Sequence, residues 1–360
     1  MRDWYVSHLV LKREEAMNIK TRSFLSDNSA GISPEILAAI GRANEGSAPG
    51  YGADPLTVSL TEKFSALFEH QVEVFLVATG TAANALSLAA CCPPWGAVLC
   101  HEHAHVIRDE CGAPEFYTAG AKLFGIASDH GMLTPETLEK AYRNFRLNDQ
   151  HQTQPGAVSL SQATEAGTVY SVKEVANIAS WARERKMRVH MDGARFGNAV
   201  ASLDCTPAEI SWRAGVDILS FGATKNGALA AEAVIVFDPA LGKDMAYRRK
   251  RAGQLLSKSR FFSAQLHAYL DGDLWLRNAA HSNRMASHLA DAFDALGFDL
   301  AHPVHANELF VRMPDEVAMR LRDAGFLFLD WPTAGPDGRR LVTSPATSED
   351  DVEALIELAA

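Results

Sequence analysis

The sequence has few cysteines, no long apolar run and no excess of basic residues. Five cysteines in 360 residues, with no Cys-x-x-Cys pair, favour reduced thiols in an intracellular protein over a disulfide framework. The most apolar stretch, 74–92, is interrupted by polar residues, whereas a bilayer span needs roughly 20 mainly apolar residues. The formal net charge of −10 indicates no surface for nucleic acid or for an anionic membrane.

The first twenty residues also lack the charge layout and the small-residue cleavage site of a signal peptide. A second methionine, Met17, stands just before the first recognisable element. We therefore expect residues 1–16 to be either a dispensable extension or the product of an upstream start codon, and we expect the protein to be cytoplasmic.

Short apolar runs alternate with capped helices through the first two thirds of the chain. The predicted strands are 72–77, 97–100, 157–161, 189–192, 216–220 and 233–237. Helices are predicted to begin after Ser33, Gly80, Thr134, Ser171 and Thr206, and the last two starts match the capping-box pattern. This alternation is typical of an α/β protein with a mostly parallel central sheet sandwiched by helices.

The pattern changes after about residue 265, where a long helix precedes short strands and two further helices. A chain of this length is expected to form more than one domain. We predict an N-terminal extension and wrapping segment (1–50), a large ligand-binding domain (51–265) and a small C-terminal α+β domain (266–360).

Small or charged residues follow three of the predicted strands. Residues 78–84 open a helix with small side chains, which suits an anion but matches neither GxGxxG nor a Walker motif. Asp192 ends a strand that we expect to be buried, where it could bind a ligand or pair with Arg195. Lys225 follows the next strand and is either a reactive amine or an exposed loop lysine. Ligands of open α/β sheets bind beyond the carboxyl ends of the strands, so we expect these residues to converge.

Three histidines alternate at His101, His103 and His105. Two imidazoles at this spacing could hold a metal, but no second carboxylate or cysteine cluster has metal-site spacing. The pattern favours one functional histidine over a metal centre.

Together, the three strand ends match the needs of pyridoxal 5'-phosphate. This cofactor requires an anion site for its phosphate, a carboxylate that keeps its ring nitrogen protonated, and a lysine for a Schiff base. The sequence provides an anion site at 79–82, the carboxylate of Asp192 and the amine of Lys225.

The motifs also resemble those of the low-specificity L-threonine aldolase family, within the beta-eliminating lyase and threonine aldolase group. The matching segments, in family order, are 26–28, 51–54, 79–84, 104–105, 192–195, 224–225 and 340–343. The resemblance extends from about residue 26 to residue 358. It implies the fold of fold type I pyridoxal-phosphate enzymes, the transferase-like fold of aspartate aminotransferase.

The resemblance also implies a role for each matching residue. Lys225 would carry the cofactor, Asp192 would pair with its ring nitrogen, and His105 would stack on its ring. The phosphate would be held by Gly80, Thr81 and the amide of Ala82. Arg195 would lie near the phenolic oxygen of the ring and would hold the substrate carboxylate together with Ser26 and Arg340.

The family resemblance further implies a homotetramer whose active sites lie at a dimer interface. Lys250 matches a position that reaches the cofactor phosphate of a neighbouring subunit. The alternative is that the basic run 248–251 forms a solvated helix face.

Two positions depart from the family pattern. Glu165 stands where many relatives carry a second histidine that contacts the substrate hydroxyl, and Ala53-Asp54 replaces the usual pair of aspartates. The implied reaction is retro-aldol cleavage of L-threonine or L-allo-threonine to glycine and an aldehyde, with His105 as the first candidate base and Glu165, or a water that it holds, as the second. A β-eliminating lyase, an aminotransferase and a non-catalytic scaffold that binds the cofactor are the alternatives.

Overall fold

The computed structural model describes residues 22–360. The β-strands are β1 (Arg22–Ser23), β2 (Glu73–Val77), β3 (Gly96–His101), β4 (Lys122–Ile126), β5 (Gln154–Ser161), β6 (Arg188–Gly193), β7 (Ile218–Gly222), β8 (Glu232–Val236), β9 (Asp299–Leu300), β10 (Glu308–Arg312), β11 (Phe326–Leu327), β12 (Leu329–Asp330) and β13 (Gly338–Val342). The α-helices are α1 (Pro34–Ala43), α2 (Pro55–Leu67), α3 (Gly80–Cys91), α4 (His105–Arg108), α5 (Ala113–Tyr117), α6 (Pro135–Tyr142), α7 (Val172–Glu184), α8 (Phe196–Leu203), α9 (Pro207–Ile210), α10 (Pro239–Gly242), α11 (Met245–Arg251), α12 (Arg260–Leu270), α13 (Leu274–Ala295), α14 (Asp315–Asp323) and α15 (Glu349–Ala359).

A seven-stranded sheet in the order β2-β8-β7-β6-β5-β3-β4 forms the centre of the large unit. Its strands are parallel except β8, which runs antiparallel to both β2 and β7. The mostly parallel sheet predicted from the sequence is confirmed. The edge strand β4 was not predicted, because Lys122 and Gly125 interrupt its apolar pattern and only two of its five residues are buried.

The helix starts follow the side chains that the sequence indicated. Ser171 and Thr206 each form a capping box. The hydroxyl of the capping residue accepts from the amide three residues on, and the glutamate at that position accepts from the amide of the capping residue. The Thr134 hydroxyl likewise accepts from the Thr137 amide, and here the Thr137 hydroxyl accepts from the Thr134 amide. These bonds satisfy amides that the first turn of a helix leaves without a partner.

An aromatic cluster fixes the carboxyl end of β7. The ring of Phe221 packs edge-on against Phe64, at 5.1 Å between centroids, and also contacts Tyr269 and Trp275. Just beyond the strand, the side-chain amide of Asn226 donates to the Tyr269 hydroxyl at 2.7 Å and to the Trp275 carbonyl at 2.8 Å. The turn between Phe221 and Asn226 is therefore held at both ends.

The C-terminal part contains a four-stranded antiparallel sheet, in the order β12-β13-β10-β9, with its own hydrophobic cluster. Phe24 belongs to that cluster and β1 pairs with β11, so residues 22–24 pack with the C-terminal part. The predicted domain limits at 50 and 265 stay predictions, and the predicted extension 1–16 lies outside the described residues. Within 22–360, no helix is long and apolar enough to cross a membrane.

Candidate active site

The predicted site residues meet at one edge of the seven-stranded sheet. Asp192 lies at the end of β6, Lys225 follows β7, Gly80 begins the helix after β2, and His105 follows β3. These strands are parallel, so their carboxyl ends share an edge. Hydrogen bonds show how near Asp192 and His105 are, because Asn84 and Glu110 connect them.

Asp192 is held by N–H donors rather than by a cation. Its Oδ2 accepts from the side-chain amide of Asn84 at 2.7 Å, and its Oδ1 accepts from the backbone N–H of Ala194 at 3.0 Å. The alternative of an ion pair with Arg195 is not what the structure contains, since Arg195 binds two other carboxylates. A buried carboxylate without a cationic partner remains available to a cation that binds beside it.

A hydrogen-bonded chain connects Asp192 to His105. The amide nitrogen of Asn84 also donates to Glu110 Oε1 at 2.8 Å, and the same oxygen lies 2.9 Å from His105 Nδ1. Hydrogen bonding to Glu110 raises the pKa of His105, and burial raises the pKa of Glu110. Sequence reasoning missed Glu110, because a carboxylate among Arg-Asp-Glu looks like part of a solvated surface.

Glu165 lies directly beside His105. Its Oε1 accepts from the Ser161 hydroxyl at 2.6 Å and from the backbone N–H of His105 at 2.8 Å. In the described chain its buried Oε2 has no hydrogen-bond partner. Burial raises the pKa of this carboxyl, so Glu165 can hold a proton at higher pH than an exposed glutamate.

The first turn of α3 offers two free amides. Thr79 caps the helix by accepting from the Ala82 amide at 3.1 Å, so this donor, expected to bind phosphate, is engaged within the protein. The described residues provide no acceptor for the amides of Gly80 and Thr81. A Cβ built on Gly80 meets nothing within 4 Å, so an anion has room at this helix terminus.

Lys225 lies in the one-turn helix 224–226 that follows β7. Among residues 22–360, its amine has no hydrogen-bond or ion-pair partner, and its positive charge acts on Asp27 and Glu232. Burial raises the pKa of Glu232 to about 7. An unpaired amine at a strand end is available to react with a carbonyl group.

Arg195 and Arg340 meet at one carboxylate that the sequence did not reveal. Arg195 Nε lies 2.7 Å from Asp27 Oδ2, and its Nη1 lies 2.6 Å from Glu308 Oε2. Arg340 Nε donates to Glu308 Oε1 at 2.9 Å. Burial opposes ionisation of Asp27, but the charges of Arg195 and Lys225, together with the hydrogen bonds from Arg195 and Asn307, lower the Asp27 pKa. Ser26 stands next to Asp27, and its hydroxyl accepts from the Asn28 amide at 3.1 Å.

Lys250 and the other two histidines of the sequence motif have different surroundings. Lys250 is exposed on α11, with its ammonium 5.2 Å from the centre of the Tyr51 ring.

His101 Nε2 lies 3.0 Å from the Ser128 carbonyl oxygen, and its Nδ1 accepts from the His103 amide. Backbone groups therefore occupy both ring nitrogens of His101, and residues 22–360 contain no group of three or more side chains placed to hold a metal.

These groups fit pyridoxal phosphate by their chemistry. The free amides at Gly80 and Thr81 suit its phosphate, Asp192 suits its protonated ring nitrogen, and the unpaired Lys225 amine suits its aldehyde. The fold and the site together define a fold type I pyridoxal-phosphate enzyme.

Comparison with known proteins gives the family. The chain belongs to the beta-eliminating lyase family, whose model matches residues 23–316. It is 44% identical, over 95% of its length and 97% of the relative's, to a low specificity L-threonine aldolase of Pseudomonas aeruginosa. A low specificity L-threonine aldolase of a Pseudomonas species is 43% identical over 94% of this chain and 97% of the relative.

Solved structures agree with this assignment. The Leishmania major threonine aldolase superposes with a TM-score of 0.88 at 30% identity, covering 94% of this chain and all of that one (100%). Aspartate aminotransferase from Thermus thermophilus, at 17% identity and a TM-score of 0.70, covers 96% of this chain and 92% of its own and shares the fold. The predicted fold, family and cofactor are confirmed.

Proposed function

We propose that this protein cleaves L-threonine, L-allo-threonine and related β-hydroxy-α-amino acids to glycine and an aldehyde. The observation that carries the proposal is the convergence of Lys225, Asp192 and His105 at one sheet edge, in a chain 44% identical to a low specificity L-threonine aldolase. When bound, pyridoxal phosphate supplies an electron sink for the electron pair of the broken Cα–Cβ bond.

The protein's part in this reaction begins with holding the cofactor. Lys225 supplies the amine that anchors it, and the amides of Gly80 and Thr81 bind its phosphate. Asp192 keeps the ring nitrogen protonated, and Asn84 and Ala194 fix that carboxylate by donating to its two oxygens. The withdrawal of electrons into the ring depends on that proton.

Cleavage also requires a group that takes the proton of the substrate's β-hydroxyl. His105 is the first candidate, because Glu110 occupies its Nδ1, whereas no group of residues 22–360 hydrogen-bonds to its Nε2, which can accept a proton. Its partly exposed ring is also the group proposed to stack on the cofactor. Glu165, or a water on its unpartnered Oε2, is the second candidate.

The substrate carboxylate is assigned to Arg195, Arg340 and Ser26. The two guanidinium groups share the carboxylate of Glu308, so they lie close enough to face one ligand. Holding the carboxylate fixes rotation about the bond between Cα and the amino nitrogen. The orientation of Cα is then set, and the Cα–Cβ bond is selected for cleavage.

The assembly and location are part of the same proposal. We assign the protein to the cytoplasm as a homotetramer with active sites at a dimer interface, by likeness to its family. The exposure of Lys250 on α11 supports a contact with a neighbouring subunit, where it would meet the cofactor phosphate. Sedimentation analysis of the purified protein measures the assembly directly.

The decisive experiment incubates the protein, loaded with pyridoxal phosphate, with L-threonine and separately with L-allo-threonine. We expect acetaldehyde and glycine in equal amounts from both substrates. Pyruvate and ammonia, or a keto acid, would instead identify a β-eliminating lyase or an aminotransferase. Bound cofactor without any product from a panel of β-hydroxy amino acids would identify a non-catalytic scaffold.

A further inference from the structure

Glu308 is a buried carboxylate that contacts both arginines assigned to the substrate. It begins β10, and its side chain is 1% exposed. Its Oε2 lies 2.6 Å from Arg195 Nη1, and its Oε1 accepts from Arg340 Nε at 2.9 Å and also from Arg340 Nη2. One internal carboxylate thus bridges two guanidinium groups proposed to bind an external one.

The internal contacts use the edges of the guanidinium groups that best bind a carboxylate. Arg195 directs Nε and Nη2 at Asp27, at 2.7 and 3.2 Å, and its Nη1 at Glu308. Arg340 directs its Nε and Nη2 at Glu308, and only Nη1 remains, with a 3.4 Å contact to the Leu25 carbonyl. Two parallel bonds from one edge make the strongest carboxylate contact, and on both arginines that edge is occupied.

The charges of this group also balance without substrate. Two carboxylates, Asp27 and Glu308, face the two guanidinium groups, so each arginine already has an anionic partner before a carboxylate ligand arrives. Burial makes each pairing strong, and a new anion must replace an existing partner to gain a comparable contact.

Glu308 is the carboxylate that can be replaced. Asp27 has a further donor, the side-chain amide of Asn307 at 3.1 Å, in addition to Arg195. In the part of the chain that the structure describes, the side chain of Glu308 accepts hydrogen bonds from Arg340 alone, and its other oxygen has only the ion-pair contact with Arg195. Loss of those contacts therefore frees Glu308, whereas Asp27 stays anchored.

We propose that Glu308 competes with the substrate's α-carboxylate for Arg195 and Arg340 and thereby weakens the binding of amino acids. Glu308 is in this sense a residue that sets substrate affinity, and it takes no part in breaking the bond. The inference rests on the proposed function for the identity of the ligand, an α-amino acid.

The test compares the wild-type holoenzyme with Glu308→Gln. Glutamine has one acceptor oxygen, so it can serve only one arginine and frees the other for the ligand. We expect the Kd for glycine, measured by the change in cofactor absorbance, to fall about tenfold, the effect of roughly one regained charge-assisted contact. The KM for L-threonine is expected to fall by a similar factor.

Glu232→Gln is the matched control. It removes another buried carboxyl near Lys225, but Glu232 accepts from the Thr224 amide and contacts neither arginine. We expect no gain in glycine affinity in this variant. An equal gain would show a general effect of removing a buried carboxyl group and would overturn the competition.

A glycine Kd that is unchanged or higher in Glu308→Gln would also overturn the proposal, because Glu308 would then hold the arginines in place for the substrate. If that variant does not fold, Glu308→Asp replaces it, since the shorter side chain of aspartate cannot span both arginines. A lower glycine Kd in Glu308→Asp supports competition, and any other result contradicts it.

Glycine binding does not require cleavage, so a protein that binds glycine but cleaves no β-hydroxy amino acid would disprove the proposed function alone.

Discussion

His105 Nδ1 and Glu110 Oε1 lie 2.9 Å apart, and the same glutamate oxygen accepts from Asn84, which also binds Asp192. The carboxylate assigned to the ring nitrogen and the histidine assigned to the ring face are therefore joined through two buried side chains. Any change in the charge of Glu110 acts directly on His105.

Glu110→Gln is expected to lower the pKa of His105. The bond to Glu110 is the largest influence that raises this pKa, and glutamine offers the imidazolium no negative charge. The limb of the pH–rate profile that reports deprotonation of His105 should move to lower pH, as should the imidazole resonance in an NMR titration. Glu115→Gln, on the neighbouring helix α5, should leave both curves in place; an unmoved His105 titration in Glu110→Gln would contradict the assignment.

Asp192→Asn is expected to reduce kcat by roughly a hundredfold or more, while the fold is retained. An asparagine can still accept from Asn84 or Ala194, but it cannot balance a protonated ring nitrogen. Steady-state assays and circular dichroism separate these two effects. Near-normal turnover in this variant would show that another group holds the ring proton.

Stability should decline in mild acid because of His190. This imidazole is fully buried between Ser159 and Ser220, and burial lowers its pKa to about 4. In the unfolded chain, His190 is protonated as the pH falls below about 6.5, whereas in the folded protein it is protonated only near pH 4. The free energy of unfolding should therefore fall across this window, by up to about 3 kcal/mol from this one group.

His190→Gln is expected to flatten that dependence, because a neutral amide can bond to a serine and does not titrate. Urea unfolding of the holoenzyme at several pH values between 6.5 and 4 measures the slope. His151→Gln, at an exposed position, serves as the control and should retain the wild-type slope. An unchanged slope in His190→Gln would assign the acid sensitivity to other groups.

Phe221→Ala should destabilise the protein by about 3–5 kcal/mol, because it leaves a cavity among large buried rings. Phe116→Ala, at a side chain that is 76% exposed, should change stability by only about 0.5 kcal/mol or less. Thermal or urea unfolding gives both values. Equal effects of the two substitutions would contradict the assignment of Phe221 to the core that supports Lys225.

Local signals made much of the fold predictable. The run 233–237 is continuous and apolar because the sheet is covered on both faces, and the helix starts at Ser171 and Thr206 carry their own caps. Strand β4 was not predicted, because an edge strand needs fewer apolar residues than a strand inside the sheet. The candidate site followed from the same signals, since Asp192 and Lys225 stand directly after recognisable strands.

The partners of the site residues could not be predicted in this way. Asp27 contacts Arg195 across 168 residues of sequence, and Glu308 contacts Arg340 across 32. No periodicity or spacing indicates such pairs, because they depend on how distant segments pack. Glu110 and Glu308 also look like ordinary surface charges until the structure shows them buried.

The central claim is that Lys225 carries the reaction, and one comparison tests it most directly. Aldehyde release from L-threonine is measured for the wild-type protein, for Lys225→Ala and for Lys243→Ala, an exposed lysine that follows α10. We expect the wild type and Lys243→Ala to release acetaldehyde with equal glycine, and Lys225→Ala to release none above background. Full activity in Lys225→Ala would contradict the account.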